Sequence, residues 1–222
     1  HVALAVGTVV AITSAVVGVF TVTRGQSFAG HSLADIATTG GSGAFLIGVN
    51  QFWGYLAFGA GAAAFMEMIG IQRRRGRDVA TGVVLGAALG LAALFLYLGT
   101  QYSTTTGASF SILFGSIFVI TTSTVPALIA SALLALVTVV ALARVLLLTS
   151  LSPDIAAARG VPVRAVGAAY LMALAVSVAL SAVIIGAVLS TALLIGPAAT
   201  ALRLAKSPLK AVIIAAGLGV AA

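Results

Sequence analysis

Long apolar runs constrain the fold of this chain more than any other feature. Two of them, residues 83–98 and 127–148, are apolar almost throughout. A helix needs about 20 such residues to cross a bilayer. The sequence does not show the alternating segments of about ten residues that are typical of a membrane β-barrel. It therefore predicts an all-α fold, a polytopic bundle of transmembrane helices.

The composition supports a membrane protein and excludes several other classes. Hydrophobic residues make up 61% of the chain and charged residues 7%, whereas a soluble domain has roughly a quarter charged residues. Cysteine is absent, which excludes thiolate metal sites. The sequence has no P-loop, nucleophile elbow or H-E-x-x-H motif, so we expect neither an enzyme nor an intrinsic cofactor.

The distribution of positive charge predicts a topology. The eleven Lys and Arg residues lie in short segments between apolar runs, as expected when basic loops face the cytoplasm rather than a nucleic acid. A short run at 110–120 is predicted to be re-entrant or interfacial. About eight spans are predicted, the last cut off by the end of the chain: 2–22, 28–49, 54–71, 79–99, 124–148, 166–186, 189–204 and one that starts at Lys210.

Two glycine-rich segments lead to different structural predictions. Residues 40–43, with the sequence GGSG, are poor helix formers and predict a break or kink within the second span. Gly82, Gly86 and Gly90 recur every four residues in the fourth span. Their spacing predicts a smooth stripe that lets another helix pack closely.

Two of the four acidic residues have simple structural interpretations, and a third has two open ones. Asp78 precedes the fourth span, and Asp154 lies in a cytoplasmic segment, where each carboxylate can complement a helix dipole. Glu67 lies close to an arginine cluster at residues 73–77, so it either pairs with an arginine or belongs to a substrate route.

His31 and Asp35 require a different explanation. They lie four residues apart in the second span and therefore share one helix face. An Asp in the apolar zone costs about 2.5 to 3.5 kcal/mol. Three interpretations are open, namely a structural hydrogen bond between helices, a proton relay, and a divalent-metal site with imidazole and carboxylate ligands.

The segment from Ser152 to Gly160 predicts a short cytoplasmic helix. Ser152 is a suitable N-cap, Pro153 fits the first helical position, Asp154 complements the dipole, and Gly160 ends the helix. Such a helix is either an ordinary loop helix or a docking element for a partner protein.

Several motifs in this chain resemble the ABC-3 metal permease family, the membrane subunits of zinc and manganese ABC importers. The arginine-rich turn with its Asp and the following helix is similar, as is the short LFG segment. The tail is the most specific, with SPDIAAARGVPV followed by AVIIGAVLSTALLIGPAATALRLA. The similar stretches cover most of the chain in order: 24–43, 73–96, 113–118, 152–163 and 182–205.

This resemblance implies a type II ABC importer-like permease, a multi-pass protein of the bacterial plasma membrane with residues 1–222 as a single transmembrane domain. It implies a separate ATPase that docks on the cytoplasmic helix, an extracytoplasmic metal-binding protein, and a homodimer of permeases. The coupling residues implied are Ser152, Pro153, Asp154, Arg159 and Gly160.

The resemblance also implies that the second span lines the metal path. The family usually has Asp followed four residues later by His, whereas here His31 and Asp35 occur in the reverse order. Either order presents one imidazole and one carboxylate on the same face.

The leading hypothesis is therefore a permease for zinc or manganese ions, with His31 and Asp35 as metal ligands. The metal is cargo in this hypothesis. The rivals are a permease for a bulky metal chelate, an ATP-independent cation–proton exchanger that uses the same pair as a relay, and a purely structural membrane subunit.

Overall fold

The computed structural model describes residues 2–69, 77–102, 115 and 124–221. In these ranges the regular elements are α-helices, which confirms the predicted all-α class. They are α1 (Val2–Thr23), α2 (Ser27–Leu46), α3 (Gln51–Ile69), α4 (Arg77–Tyr102), α5 (Val125–Leu151), α6 (Pro153–Ala158), α7 (Val163–Ile185), α8 (Ala187–Leu204) and α9 (Pro208–Ala221).

Within the described ranges, five helices are long and apolar enough to cross a membrane: α1, α4, α5, α7 and α8. The most apolar parts of these helices have mean hydropathies between 1.6 and 2.6. Helix α2 is less apolar because it carries His, Asp, Ser, Thr and Gly side chains. The total of eight spans therefore stays a prediction.

Helices α1 and α7 form the centre of the bundle. In their most apolar stretches 67% of the residues are buried, against 17% in α4 and 22% in α5. The main apolar core contains Phe20 of α1, Leu33 of α2, Leu174 of α7 and Leu194 of α8. Helix α7 contacts α1, α2, α3, α5, α6 and α8, so it connects most of the bundle.

The connection between α1 and α2 is a tight turn. Gly25 has a φ of +64°, a left-handed conformation that glycine adopts without steric cost. Its N–H donates to the Val22 carbonyl at 3.0 Å, and the Gln26 N–H donates to the Thr21 carbonyl at 2.9 Å. These two hydrogen bonds form a Schellman motif that ends α1. Helix α2 begins two residues after Gly25.

The predicted break at residues 40–43 is wrong, since α2 continues through this segment to Leu46. The glycines allow a close helix contact instead. A Cβ atom on Gly40 would meet the Gly54 carbonyl oxygen of α3, and one on Gly41 would meet the ring of Tyr55. Packing between α2 and α3 offsets the poor helix propensity of these residues.

The stripe of Gly82, Gly86 and Gly90 packs differently from the prediction. A Cβ atom on any of these glycines would have no described neighbour within 4 Å, and all three positions are exposed. The close helix contact that their spacing predicts is therefore not made within the described part of this chain.

Helix α6 has the predicted N-cap and C-terminal glycine. The side chain of Ser152 accepts a hydrogen bond from the Ile155 N–H at 3.3 Å, and Pro153 occupies the first turn. At the other end, Gly160 has a φ of +77°. Its N–H donates to the Ala157 carbonyl at 2.9 Å. Ser152 also caps the C-terminus of α5, so a single residue joins the two helices.

Three predictions fall outside what the structure describes. The re-entrant segment at 110–120 lies outside the described residues except for Gly115, and so does the arginine cluster at 73–75. Helix α4 begins at Arg77, which places Asp78 in its first turn. The predicted interaction of the Asp78 side chain lies outside the described side chains.

Candidate functional site

The candidate site lies on the first half of α2. His31 and Asp35 occupy successive turns of this helix and share one face with Phe28. The side chain of His31 is 47% exposed and that of Asp35 is 17% exposed. Most of the remaining α2 surface is buried in the bundle. The two ionisable side chains thus lie on the open face of the helix.

The imidazole ring of His31 has a different neighbour at each nitrogen. Its Nε2 atom lies 3.5 Å from Oδ2 of Asp35. Its Nδ1 atom lies 3.2 Å from the hydroxyl oxygen of Thr191 on α8. Thr191 can hydrogen-bond either tautomer of the ring, because a hydroxyl both donates and accepts. The ring is therefore held at Nδ1, while Nε2 faces the carboxylate.

A close contact between helices brings Thr191 to His31. A Cβ atom on Gly30 of α2 would lie 2.9 Å from a methyl carbon of Leu194 on α8. Leu194 lies three residues after Thr191 on α8 and is buried. The glycine next to His31 thus lets α2 approach α8 closely enough for the Thr191 hydroxyl to reach the ring.

The pair supplies two metal-ligating groups. No group of three or more His, Cys, Asp or Glu side chains that could hold a metal ion occurs within the described residues. Imidazole nitrogen and carboxylate oxygen suit zinc, manganese and iron. An ion at this pair would need further ligands from water, from another molecule, or from residues outside the described set.

Thr191 carries no recognisable signal in the sequence. It lies 160 residues from His31, and threonine is common in apolar helices. Only the segment around it, residues 182–205, points to function, because this segment resembles the permease family.

Arg24 was predicted only as a topological charge, but the structure places it inside the bundle. Its guanidinium donates a hydrogen bond to the Thr149 hydroxyl of α5 at 2.8 Å. It also lies over the Tyr170 ring of α7, with Cζ 5.1 Å from the ring centroid. Burial lowers the pKa of Arg24, while Tyr170 and Glu67 act in the opposite direction. Glu67 thus lies close enough to Arg24 to favour the charged form of its guanidinium.

The predicted coupling residues lie together around α6. Ser152 caps the helix, Pro153 and Asp154 form its first turn, and Arg159 and Gly160 follow its end. Helix α6 contacts α5 and α7. His31 and Asp35 lie on α2, so the structure places the two predicted sites on separate elements.

The comparison with protein families decides the class of this chain. The model of the ABC 3 transport family matches residues 1–222. The chain belongs to this family. It is a multi-pass permease subunit of a bacterial ATP-binding cassette transporter in the plasma membrane, and ATP hydrolysis belongs to a separate chain.

Individual relatives agree with this family. The manganese import system permease protein ScaB of Streptococcus parasanguinis is 31% identical over 218 residues, which cover 98% of this chain and 76% of ScaB. The high-affinity zinc uptake system membrane protein ZnuB of Haemophilus influenzae is 26% identical, over 93% of this chain and 78% of ZnuB.

A solved structure shares the fold. PsaBC from Streptococcus pneumoniae in complex with Fab has a TM-score of 0.82 at 27% identity, over 99% of this chain and 78% of the matched chain. The helical arrangement described above is thus shared with the matched PsaBC chain.

Proposed function

We propose that this family member moves a divalent transition metal, manganese or zinc, inward across the plasma membrane, and that His31 and Asp35 bind the ion on its way. In this proposal residues 1–222 act as one transmembrane domain. The named relatives support the choice of substrate, because they are manganese and zinc permeases. The observation that carries the proposal is the placement of His31 Nε2 and Asp35 Oδ2 3.5 Å apart on an open helix face.

The geometry of the pair suits a transition metal. Metal–ligand bonds of about 2.1 Å with angles of about 90 to 109° require the two ligand atoms to lie about 3.0 to 3.4 Å apart. The observed separation is 3.5 Å, so a small rotation of either side chain brings both atoms within bonding distance. In the tautomer in which Nδ1–H donates to the Thr191 hydroxyl, Nε2 carries the lone pair for the metal.

The exposure of the pair supports a homodimer of permeases. Ionisable side chains of membrane helices face a protein interior or a watery path rather than lipid. His31 is 47% exposed on the surface of a single chain. A second copy that faces this surface would cover both side chains and supply two more ligands. In this arrangement the metal path lies between two copies of α2.

Helix α6 is the proposed docking element for the separate ATPase. Ala156 is fully buried against the bundle, whereas Ile155 is 53% exposed and Leu151, just before α6, is 85% exposed. The helix thus has one face fixed on the bundle and apolar side chains available to a partner. Ser152, Pro153, Asp154, Arg159 and Gly160 maintain its shape, through the N-cap, the first turn and the glycine end.

The remaining partner is an extracytoplasmic metal-binding protein that delivers the ion to the outer end of the path. The transported metal is cargo, and we propose no intrinsic cofactor for the chain. Closure of the ATPase subunits on ATP would move α6 and change access to the His31–Asp35 pair.

Metal uptake by proteoliposomes that contain the whole assembly tests this proposal. We expect ATP-dependent uptake of Mn²⁺ or Zn²⁺ to fall at least about tenfold when His31 and Asp35 are both changed to Ala, because the ion loses both direct ligands. Ile47→Ala is the control, since Ile47 is an exposed apolar residue at the far end of α2 and has no ligand atom. Unchanged uptake in the double variant, or uptake driven by a proton gradient without the ATPase, would contradict the proposal.

A further inference from the structure

Arg24 lies at a junction of four helices. Its backbone belongs to the Schellman turn that joins α1 to α2, seven residues before His31. Its side chain reaches α5 through Thr149 and α7 through Tyr170. A topological charge at a membrane surface needs none of these contacts.

The contact with Thr149 leads directly to the docking helix. Thr149 is 4% exposed and lies three residues before Ser152. Its hydroxyl donates to the Leu146 carbonyl at 3.0 Å, so its oxygen accepts the hydrogen bond from Arg24. Ser152 alone separates the end of α5 from the start of α6. Ser152 and the contact between the two helices are thus the path by which a displacement of α6 would reach the last turn of α5, where Thr149 lies.

The Tyr170 ring makes a second contact with the Arg24 guanidinium, and Thr21 holds this ring in place. The Thr21 hydroxyl donates to the Val17 carbonyl at 2.9 Å and accepts from the Tyr170 hydroxyl at 2.7 Å. The Tyr170 ring is fully buried, and the Arg24 guanidinium lies over its face. Hydrogen-bonded and stacked in this way, the guanidinium is held in one orientation toward α5.

A short turn links Arg24 to the helix that bears His31 and Asp35. Arg24 donates its backbone N–H to the Phe20 carbonyl at 2.9 Å, and Gln26 accepts the first α2 hydrogen bond from Gly30 at 3.0 Å. Backbone hydrogen bonds thus hold both the turn after α1 and the first turn of α2. A force on the guanidinium would reach the first turns of α2 through this turn.

We propose that Arg24 is a positioning residue that couples the ATPase-docking helix α6 to the metal-binding helix α2 through its hydrogen bond with Thr149. The inference rests on the proposed docking of the ATPase at α6. The His31–Asp35 pair and the docking helix lie on separate elements, and the hydrogen bond between Arg24 and Thr149 connects these elements. The charge-assisted bond is of the stronger class of protein hydrogen bonds.

The chain contains no cysteine, which allows site-directed spin labels without a background signal from the permease. Ile47→Cys at the C-terminal cap of α2 and Leu204→Cys at the end of α8 are suitable labelling positions, since both side chains are exposed and Ile47 lies at the opposite end of α2 from His31. The distance between the two labels is measured by pulsed electron paramagnetic resonance in the complete assembly, with and without ATP. This readout follows the movement of α2 relative to α8 and does not depend on metal transport.

We expect ATP to shift the distance distribution in the otherwise unmodified protein. Thr149→Val removes the hydrogen-bond acceptor at nearly constant side-chain volume. In this variant the ATP-dependent change in the ratio of the short-distance to the long-distance population should fall roughly five- to tenfold. Thr149→Ser, which restores the hydroxyl, should respond normally. Arg24→Lys should behave like Thr149→Val, because lysine keeps the charge but lacks the planar guanidinium.

Ser150→Ala is the matched control. Ser150 neighbours Thr149 and donates only to the Leu147 carbonyl of its own helix. An undiminished ATP response in Thr149→Val would overturn the inference, as would an equal loss in Ser150→Ala or the absence of any response in the unmodified assembly. Metal uptake is measured in parallel. The unmodified assembly could respond to ATP, and Thr149→Val could lose this response, while no metal is taken up. That result would refute the proposed substrate but not the coupling role of Arg24.

Discussion

The hydroxyl of Thr191 on α8 lies 3.2 Å from Nδ1 of His31 on α2, on the side of the imidazole ring away from Asp35. The two residues are far apart in the sequence and meet because Gly30 lets the helices approach closely. Metal-ligating histidines are commonly oriented by such a hydrogen bond at the second nitrogen. Thr191 thus supports the ring without being a metal ligand itself.

Replacing Thr191 tests this orienting role. Thr191→Val keeps the shape of the side chain and removes the hydroxyl, so we expect the metal concentration for half-maximal uptake to rise about tenfold, with Thr191→Ser close to the unmodified protein. The measurement is the initial rate of uptake against metal concentration. An identical concentration dependence for Thr191→Val and the unmodified protein would show that Thr191 does not orient the ring.

The exposed side chain of Ile155 is expected to contact the ATPase. Ile155→Asp should weaken binding of the ATPase to the permease by about 2 kcal/mol, roughly 30-fold, because it places a charge in an apolar contact. Ser152→Ala should have a smaller effect, since it removes a cap worth about 1 kcal/mol. Binding is measured by titrating labelled ATPase onto permease in nanodiscs.

Leu209→Asp provides the comparison for Ile155→Asp. Leu209 is 72% exposed at the start of α9, outside the docking helix. We expect this variant to bind the ATPase normally. Equal weakening by Leu209→Asp and Ile155→Asp would argue against a specific role for α6.

The close packing of α2 on α3 predicts a position-specific loss of stability. In Gly40→Ala the added methyl group would meet the Gly54 carbonyl and the Phe58 side chain, so we expect a loss of about 1 to 3 kcal/mol in the free energy of unfolding. Gly61→Ala on α3 has no described neighbour within 4 Å. It should unfold no more easily than the unmodified protein. Denaturant titration in detergent compares the two variants, and equal stability would contradict the packing explanation.

The proposed homodimer predicts a symmetric cross-link. Phe28→Cys places a thiol on the open face of α2 next to His31. A short bismaleimide should therefore link two copies of the permease in membranes. Leu134→Cys on α5 is also exposed and lies on a different helix, and we expect little linkage there. Linkage at Leu134 but not at Phe28 would mean that the copies meet on another face.

Much of the fold could be predicted because hydropathy and positive charge constrain helices locally. The bounds of α1, α8 and the short α6 follow from apolar runs, caps and glycines in their own segments. The prediction of a break at residues 40–43 is wrong because helix propensity is a local property and does not include the packing of α2 against α3. Gly54 of α3 lies against Gly40, and packing keeps the helix continuous.

The candidate site could be predicted only in part for a similar reason. His31 and Asp35 stand out because ionisable groups are rare and costly in apolar helices. Thr191 and Thr149 are ordinary threonines until the fold places them beside His31 and Arg24. Their roles depend on contacts between distant segments, which spacing along the chain does not contain.

The nitrogen coordination of bound Mn²⁺ tests the central claim most directly. The chain has two histidines, His1 and His31, and electron spin echo envelope modulation detects an imidazole nitrogen bound to Mn²⁺. Mn²⁺ bound to purified permease in nanodiscs should give a nitrogen modulation that persists in His1→Ala and disappears in His31→Ala. A modulation that is absent from the unmodified protein, or that survives unchanged in His31→Ala, would contradict the assignment of His31 as a metal ligand.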